Sequence, residues 1–294
     1  MRIHVSRVEC LIGVGVLQMN NDENLKTLGS QAARLVTELY ERGGTVFSNA
    51  DVEKITGLGP KSARNFVASL VHRGVVTRLK PGLFILVPFE LGREREFLGN
   101  PLVLARELAG GSDYYVSHAS AMEIHRMVTQ PQLVTFASTP RAIRPRTVLG
   151  TEFRFVRCKA DHLFGIADYW ATKTERVQVS DLERTVLDGL KQSEHCGGFT
   201  EVAKGFWMRR EDIDSGRLVD YALRLDVGAV IRRLGFLLEL FDVDAPGEAE
   251  RLHERLTSSY AVLDPLLPVE GKYFARWRLR LNVGPEEIKS VVRT

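Results

Sequence analysis

Three cysteines in 294 residues, Cys10, Cys158 and Cys196, are too few and too widely spaced to form a disulfide framework. Their scarcity excludes the stapled domains of secreted proteins and fits a reducing cytoplasm. Long apolar runs are also missing. No stretch reaches the roughly 18 apolar residues that span a bilayer, so no membrane partner is expected. Val8 to Met19, behind Arg2 and Arg7, imitates a short signal peptide. Glu9 and Cys10 open that run, however, and Gln18-Met19-Asn20-Asn21 is not a small-residue cleavage site, so it reads as a strand or lead-in. A large excess of one charge is absent: 40 Lys and Arg against 37 Asp and Glu leave +3. Any nucleic-acid partner must therefore be argued from where the cations sit. Repeats and low-complexity tracts are lacking, and the 44% hydrophobic content suits an ordinary globular chain long enough for two domains.

Enzyme signatures are missing too. The chain has no Gly-x-x-x-x-Gly-Lys, no Gly-x-Ser-x-Gly and no His-Glu-x-x-His. His118 and His125 are seven apart, two helical turns, which is too far to share one ion. Cys158, His162, His195 and Cys196 match no common zinc spacing. Asp264 with Glu270-Gly271-Lys272 has the letters of an Asp…Glu-x-Lys nuclease core, but Pro265 and Pro268 break up the segment that would align its carboxylates. No catalytic residue, metal or cofactor is expected.

What is present begins with an amphipathic helix, Leu25, Leu28, Ala32, Leu35, Val36 and Leu39 forming its stripe, with Asp22 as cap and Gly43-Gly44 as stop. Thr45-Val46-Phe47 is a short extended piece. Ser48 and Asp51 stand as a capping box for a brief helix that buries Val52 and Ile55 and breaks at Gly57-Leu58-Gly59. Pro60 then opens a helix with Ala63, Phe66, Val67, Leu70 and Val71 on one side. After Gly74, two β-prone runs, Val75–Leu79 and Leu83–Val87, flank the turn Lys80-Pro81-Gly82. Helix, strand, helix, turn, helix and hairpin is the order of a winged helix-turn-helix.

On a helical wheel, the face opposite Ala63, Phe66 and Leu70 carries Lys61, Asn65, Ala68 and His72, with Arg64 and Ser69 on its flanks. Such a face suits a major groove. Arg and Lys reach guanine O6 and N7, Asn pairs with adenine, and Ala permits close approach. Ser62 lies in the same first turn. Arg78 and Lys80 on the hairpin are placed to meet phosphates beside the groove. Between Thr45 and Val87 six basic residues face two acidic ones, a local excess of +4. The candidate double-stranded DNA contacts are thus Lys61, Ser62, Arg64, Asn65, Ser69, His72, Arg78 and Lys80.

Glu90, Arg93, Glu94, Arg95 and Glu96 then form a mixed-charge stretch, read as a solvated linker or a connecting helix. Beyond it come a helix, strands at Gln132 to Ala137, Glu152 to Val156 and Arg176 to Val179, and a helix-rich tail from Glu211 to Tyr260. A second basic cluster, Arg141, Arg144, Arg146, Arg154, Arg157 and Lys159, is opposed by Glu152 alone, an excess of +5. Either it is a solvated rim, or Arg141, Arg144 and Arg146 extend a DNA footprint. In Glu183-Arg184-Thr185, Asp181 or Ser180 caps a helix whose Leu182, Val186, Leu187 and Leu190 pack inward. There Arg184 and Asp188 form an i, i+4 brace worth ~0.3–0.5 kcal/mol if exposed. Trp277 to Asn282 alternates like a half-exposed strand with Arg278 and Arg280 outward, a ribbon for which surface, DNA and partner readings all stay open.

Tyr115-Val116-Ser117-His118-Ala119-Ser120-Ala121, Ser180-Asp181-Leu182-Glu183-Arg184-Thr185-Val186-Leu187-Asp188 and Gly197-Gly198 together resemble the AbiEi antitoxin family, and its mycobacterial members most closely. The resemblance runs from about Leu25 to Gly205, and Glu-Arg-Thr-x-x-Asp is its most specific part. It implies an antitoxin that represses its own promoter through inverted repeats and counters a nucleotidyltransferase-type toxin, with direct contact left open. It supplies no catalytic residue. The expected architecture is α+β: a winged helix-turn-helix with its lead-in over 1–88, a linker over 89–101, and a larger mixed α/β antitoxin domain over 102–294. Two other readings remain: a winged-helix repressor whose C-terminal domain senses a small molecule, and a DNA-processing nuclease.

Overall fold

The computed structural model describes residues 28–292. The run Val8 to Met19, the cap Asp22 and the stripe residue Leu25 lie outside the described residues. Helix α1 (Ser30–Glu41) buries Ala32, Leu35, Val36 and Leu39, and Gly29 stands at its cap without a side-chain bond. Leu28, expected on the stripe, precedes the helix and is exposed. Strand β1 (Val46–Ser48) leads into α2 (Asn49–Thr56). There the capping box forms: Asp51 N–H donates to Ser48 Oγ at 3.3 Å, and Ser48 N–H donates to the Asp51 carboxylate at 2.8 Å. Gly57 ends α2 with φ 73°, a left-handed conformation that glycine adopts at little cost.

Helix α3 (Pro60–His72) buries Ala63, Val67 and Leu70 against α1 and α2, with Phe66 half-buried beside them. Strands β2 (Val76–Lys80) and β3 (Leu83–Leu86) form the hairpin, and β1 pairs antiparallel with β3, giving the order β1-β3-β2. The hairpin is covered on both faces. Phe84 and Leu86 join the core of α1–α3, whereas Leu83, Ile85 and Leu79 enter a second core with the elements that follow. Alternate side chains of a strand point to opposite faces, so a continuous run of apolar residues demands two covers.

The stretch expected as a solvated linker or a connecting helix holds a 3-10 turn at Phe89–Leu91. Residues 89–96 are exposed, but Phe97 to Asn100 run half-buried along the wing. Phe97 N–H donates to Thr77 Oγ1 at 2.9 Å, and the Arg95 guanidinium donates to the carbonyl of His72. Asn100 then caps α4 (Pro101–Ala109) by accepting from Leu102 N–H at 2.9 Å.

A six-stranded mixed sheet follows, in the order β6-β7-β5-β4-β9-β8. In chain order its parts are β4 (Tyr115–Val116), α5 (His118–Ile124), β5 (Val134–Thr139), β6 (Arg146–Val148), β7 (Thr151–Arg157), β8 (Ile166–Trp170) and β9 (Arg176–Ser180). Strands β5, β7 and β9 answer the sequence expectation. Strands β6 and β8 carry exposed polar positions, so no apolar run marks them in the sequence. Val103, Leu104 and Leu108 of α4 cover one sheet face with Val116, Ala137, Phe153, Val177 and Val179, and the wing closes the same core. On the other face Ala119 of α5 meets Phe136 and Val156.

The remaining chain is mainly helical: α6 (Leu182–Lys191), α7 (Phe199–Arg209), α8 (Ser215–Leu225), α9 (Gly228–Leu240) and α10 (Pro246–His253). A small sheet of order β10-β12-β11 lies against it, made by β10 (Ala261–Val262), β11 (Lys272–Phe274) and β12 (Leu279–Leu281), and α11 (Pro285–Val292) ends the described chain. Val186, Leu190, Val202, Phe206, Leu218, Ala222, Val230, Leu234 and Leu237 build the largest core. The expected strand Trp277 to Asn282 is shorter than its alternation suggested. Trp277 ends a 3-10 turn and is buried, Arg278 is left-handed with φ 50°, and only Leu279–Leu281 pair. The architecture is α+β, an N-terminal winged helix joined to a larger mixed α/β region.

The Glu183-Arg184-Thr185 element differs from a surface brace. Asp181 caps α6 by accepting from Arg184 N–H at 2.8 Å, as expected. Arg184 itself is 0% exposed, and its Nε donates to Asp188 Oδ1 at 2.9 Å. Its Nη2 donates to the Tyr115 hydroxyl at 2.9 Å, and its guanidinium lies 4.5 Å from the Phe164 ring centre. Glu183 is buried as well and accepts from Asp214 N–H and Arg217 Nη2 at 2.9 and 2.8 Å. The helix is enclosed by β4 and the 160s loop on one side and α8 on the other, which one-dimensional spacing does not reveal.

Candidate nucleic-acid interface

The site is built by three local events. The capping box starts α2, the left-handed Gly57 turns the chain, and Pro60 begins α3 so that its apolar stripe drops onto α2. What the stripe leaves outward is the row Lys61, Ser62, Arg64, Asn65, Ala68, Ser69 and His72, all exposed. Among the described residues, the side chains of Lys61, Ser62, Arg64 and Asn65 make no hydrogen bond or ion pair within the chain. These groups are therefore available to an outside ligand, and they occupy the first two turns of α3, where a recognition helix meets base edges.

The wing stands beside this helix. Asn49 N–H donates to the carbonyl of Gly82 at 3.3 Å, pinning the hairpin turn to the start of α2. Gly82 takes φ 80° to make that turn. A groove of about 300 Å³ opens between α3 and the hairpin, lined by Asn49, Arg64, Ala68, Val71, Arg78, Gly82 and Phe84. Arg64 from the helix and Arg78 from the wing thus share one concavity. Arg78 is exposed and, like Arg64, has no partner among the described residues. Asn49 Oδ1 in the same groove is buried without a hydrogen-bond partner. Sequence reasoning missed Asn49, because its nearness to the wing is set by the hairpin fold and not by any local pattern.

Lys80, Ser69 and His72 have further contacts within the chain. The Lys80 ammonium is turned away from the groove and donates to the carbonyl of Glu107 on α4 at 3.2 Å. Its pKa is lowered by burial and by the nearby Arg146 guanidinium, with Glu107 opposing. The reason is α4, which packs with Leu79, Leu83 and Ile85 on the back of the wing and brings the Glu107 carbonyl within reach of Lys80. Ser69 Oγ donates to the carbonyl of Phe66 at 2.8 Å, within its own helix. His72 sits at the C-terminal end of α3 with its carbonyl held by Arg95.

The second basic cluster divides. Arg141 is occupied: it donates to the carbonyl of Ala109 at 2.9 Å and to Ser112 Oγ at 3.1 Å, with Asp113 at 3.7 Å. It acts as a cap on the C-terminus of α4, where cations are favoured. Arg154 pairs with Glu152 at 2.7 Å. Arg146 on β6 is half-buried beside Lys80, and its Nε lacks a hydrogen-bond partner. Arg144, Arg157 and Lys159 are exposed. The structure therefore brings Arg146 to the wing and keeps Arg141 for the scaffold.

Residues weighed for catalysis have structural partners. Asp264 Oδ2 accepts from Phe199 N–H at 3.0 Å and Oδ1 from Leu266 N–H at 2.9 Å, so its carboxylate caps α7 and a turn. His118 is buried with Nδ1 2.8 Å from Ser117 Oγ and its ring edge-on to His195 at 5.2 Å. Burial holds its pKa down at about 4. Among the described residues, no three His, Cys, Asp or Glu side chains converge as metal ligands. Nor is any described helix long and apolar enough to cross a membrane.

No family model matches the chain, and no curated protein is similar to it at a significant level. Among solved structures, the crystal structure of the RV2827C protein from Mycobacterium tuberculosis superimposes with a TM-score of 0.64. The match covers 92% of this chain and 98% of that one at 15% sequence identity. At that identity the likeness is one of fold: nearly the whole chain, winged helix and α/β region together, shares the architecture of the mycobacterial protein.

Proposed function

We propose that this chain is a DNA-binding transcriptional autorepressor and antitoxin of the AbiEi type, countering a nucleotidyltransferase-type toxin from a cytoplasmic location. One observation carries the DNA-binding half. The outward face of α3 presents Lys61, Arg64 and Asn65 without internal partners, and Arg64 shares a groove with Arg78 of the wing. Such unpaired groups favour a polyanion with hydrogen-bonding base edges: Arg and Lys for guanine or phosphate, Asn for adenine. The antitoxin half rests on the sequence resemblance centred on Glu183-Arg184-Thr185-x-x-Asp188. That element is a buried scaffold, so the resemblance rests on structural residues and a toxin contact would have to lie elsewhere on the domain.

The test is fluorescence anisotropy on DNA from the chain's own upstream region and on scrambled DNA, across several salt concentrations. Tight, salt-sensitive binding to the upstream DNA, lost in Lys61→Ala/Asn65→Ala, supports the reading. Equal binding to both DNAs with an unchanged variant makes the winged helix a protein-contact module. For the antitoxin half, the neighbouring gene should encode a nucleotidyltransferase whose expression stops growth and whose co-expression with this chain restores it; a neighbour of another kind, or no rescue, removes that role.

A further inference from the structure

The arginine ribbon near the C-terminus finds a setting that the winged helix does not use. In the small sheet, Tyr273 of β11 pairs in register with Arg280 of β12, and Val262 of β10 lies on the other side of Arg280. The three side chains therefore share one face, opposite the one on which Leu279 and Phe274 join the main core. Tyr273 is 65% exposed. Tyr260, just before β10, meets it edge to face at 5.0 Å between ring centres. The Arg280 guanidinium lies 5.4 Å from the Tyr273 ring, and that of Arg278 lies 5.8 Å from the Tyr260 ring. Among the described residues, Lys272, Arg278 and Arg280 have no carboxylate partner. The nearby Glu239 is committed to Trp277 Nε1 at 2.6 Å and to Arg276 at 3.0 Å.

This face is held rigidly from below. Gly235 of α9 leaves room for the Trp277 ring, which lies directly on the helix backbone. Arg232 of α9, buried, donates to Thr257 Oγ1 at 2.7 Å and to the Ser259 carbonyl at 3.0 Å, fixing the loop that delivers Tyr260. Two arginines and two tyrosines are thus interleaved on one support. Exposed rings beside uncompensated cations match a polyanion that also carries flat, unpaired rings.

We propose that the outer face of the β10-β12-β11 sheet, through Tyr260, Tyr273, Arg278 and Arg280, is a stacking platform for a single-stranded segment of nucleic acid. Bases stack on the tyrosines, and the guanidinium groups of Arg278 and Arg280 back the rings and meet the phosphates. Duplex DNA does not fit this chemistry, because its bases are already stacked on one another. The platform is separate from α3 and its use does not depend on the winged helix reading base edges.

The experiment uses the full chain and fluorescein-labelled, mixed-sequence single-stranded DNA and RNA. Anisotropy is measured for the chain carrying Lys61→Ala/Asn65→Ala and for the same chain with Tyr260→Ala/Tyr273→Ala added. The added pair should weaken single-strand binding by about tenfold or more, the size of a lost stacking contact. Tyr260→Phe/Tyr273→Phe, which keeps the rings, should retain it. Should the alanine pair unfold the chain, Arg278→Gln/Arg280→Gln serves instead and should flatten the salt dependence. Photo-crosslinks from a thiouridine-bearing strand should map to the 258–282 region. Unchanged binding in the alanine or glutamine variants, or crosslinks confined to α3 and the wing, would overturn the proposal and leave the face as a contact for another protein.

Discussion

Replacing Arg184 by methionine isolates the energetic role of the Glu-Arg-Thr-x-x-Asp element. As an exposed i, i+4 pair, Arg184 and Asp188 would be worth ~0.3–0.5 kcal/mol. In the structure both are buried, with a 2.9 Å contact between them and the Tyr115 hydroxyl within reach of each. Removing the cation leaves the Asp188 carboxylate in the core with a single neutral donor. Breaking a buried pair on one side costs about 3–5 kcal/mol. Against a typical domain stability of about 5–15 kcal/mol, that is a large fraction. Methionine preserves contact with Phe164, so the loss reports charge and not volume. Arg184 Nη1 and Asp188 Oδ2 have no protein partner, which limits the net worth of the pair. The double variant Arg184→Met/Asp188→Leu should therefore be less destabilised than Arg184→Met alone. Urea unfolding followed by circular dichroism gives both numbers. A loss below about 1 kcal/mol for Arg184→Met, or a double variant equal to the sum of its singles, would refute the buried-pair argument.

Three further outcomes are expected. His118 has its folded pKa lowered to about 4 from an ordinary 6.5, so between these values the unfolded chain holds a proton that the folded chain lacks. Stability from this group is full above pH 6.5 and falls as pH drops towards 4, by about 3 kcal/mol in all. Urea midpoints at pH 7 and 4.5 for wild type and His118→Gln measure it, and an equal pH response in both would count against it. Gly235→Ala places a methyl group inside the Trp277 ring position and should lower stability by about 1–3 kcal/mol, which a thermal melt reads. On upstream DNA, Arg78→Ala should reduce the slope of log affinity against log salt by about 0.9, whereas Lys80→Ala should leave it unchanged. The reverse order would put Lys80 on the phosphates after all.

Local signals carried the winged helix. The capping box at Ser48 and Asp51, the stop at Gly57, Pro60 at a helix start and the Pro81-Gly82 turn each act within a few residues, and each appears where the sequence places it. The stripe that buries Ala63, Val67 and Leu70 also sets the outward face of α3, so the exposure of Lys61, Arg64 and Asn65 is legible in the sequence. Lys80 and Arg141 could not be sorted in the same way, because their exposure depends on α4, a helix distant from both in sequence or across the sheet. The continuous apolar run Leu83–Val87 did hold a clue, since a wing free on one side would alternate.

What the sequence determined by itself was therefore short-range: helix starts and stops, the order of elements, and which side of an amphipathic helix faces out. Those follow from backbone sterics and from burial along one stripe. Tertiary structure alone decided which charges are spent. It buried Arg184 and Asp188 together, turned Lys80 onto Glu107, set Arg141 on the end of α4, and placed Tyr273 beside Arg280. Each depends on separate elements meeting at a fixed distance, from seven residues apart for Tyr273 and Arg280 to 69 for Arg184 and the Tyr115 that encloses it, and a cation's availability is a property of those neighbours and not of its own place in the chain.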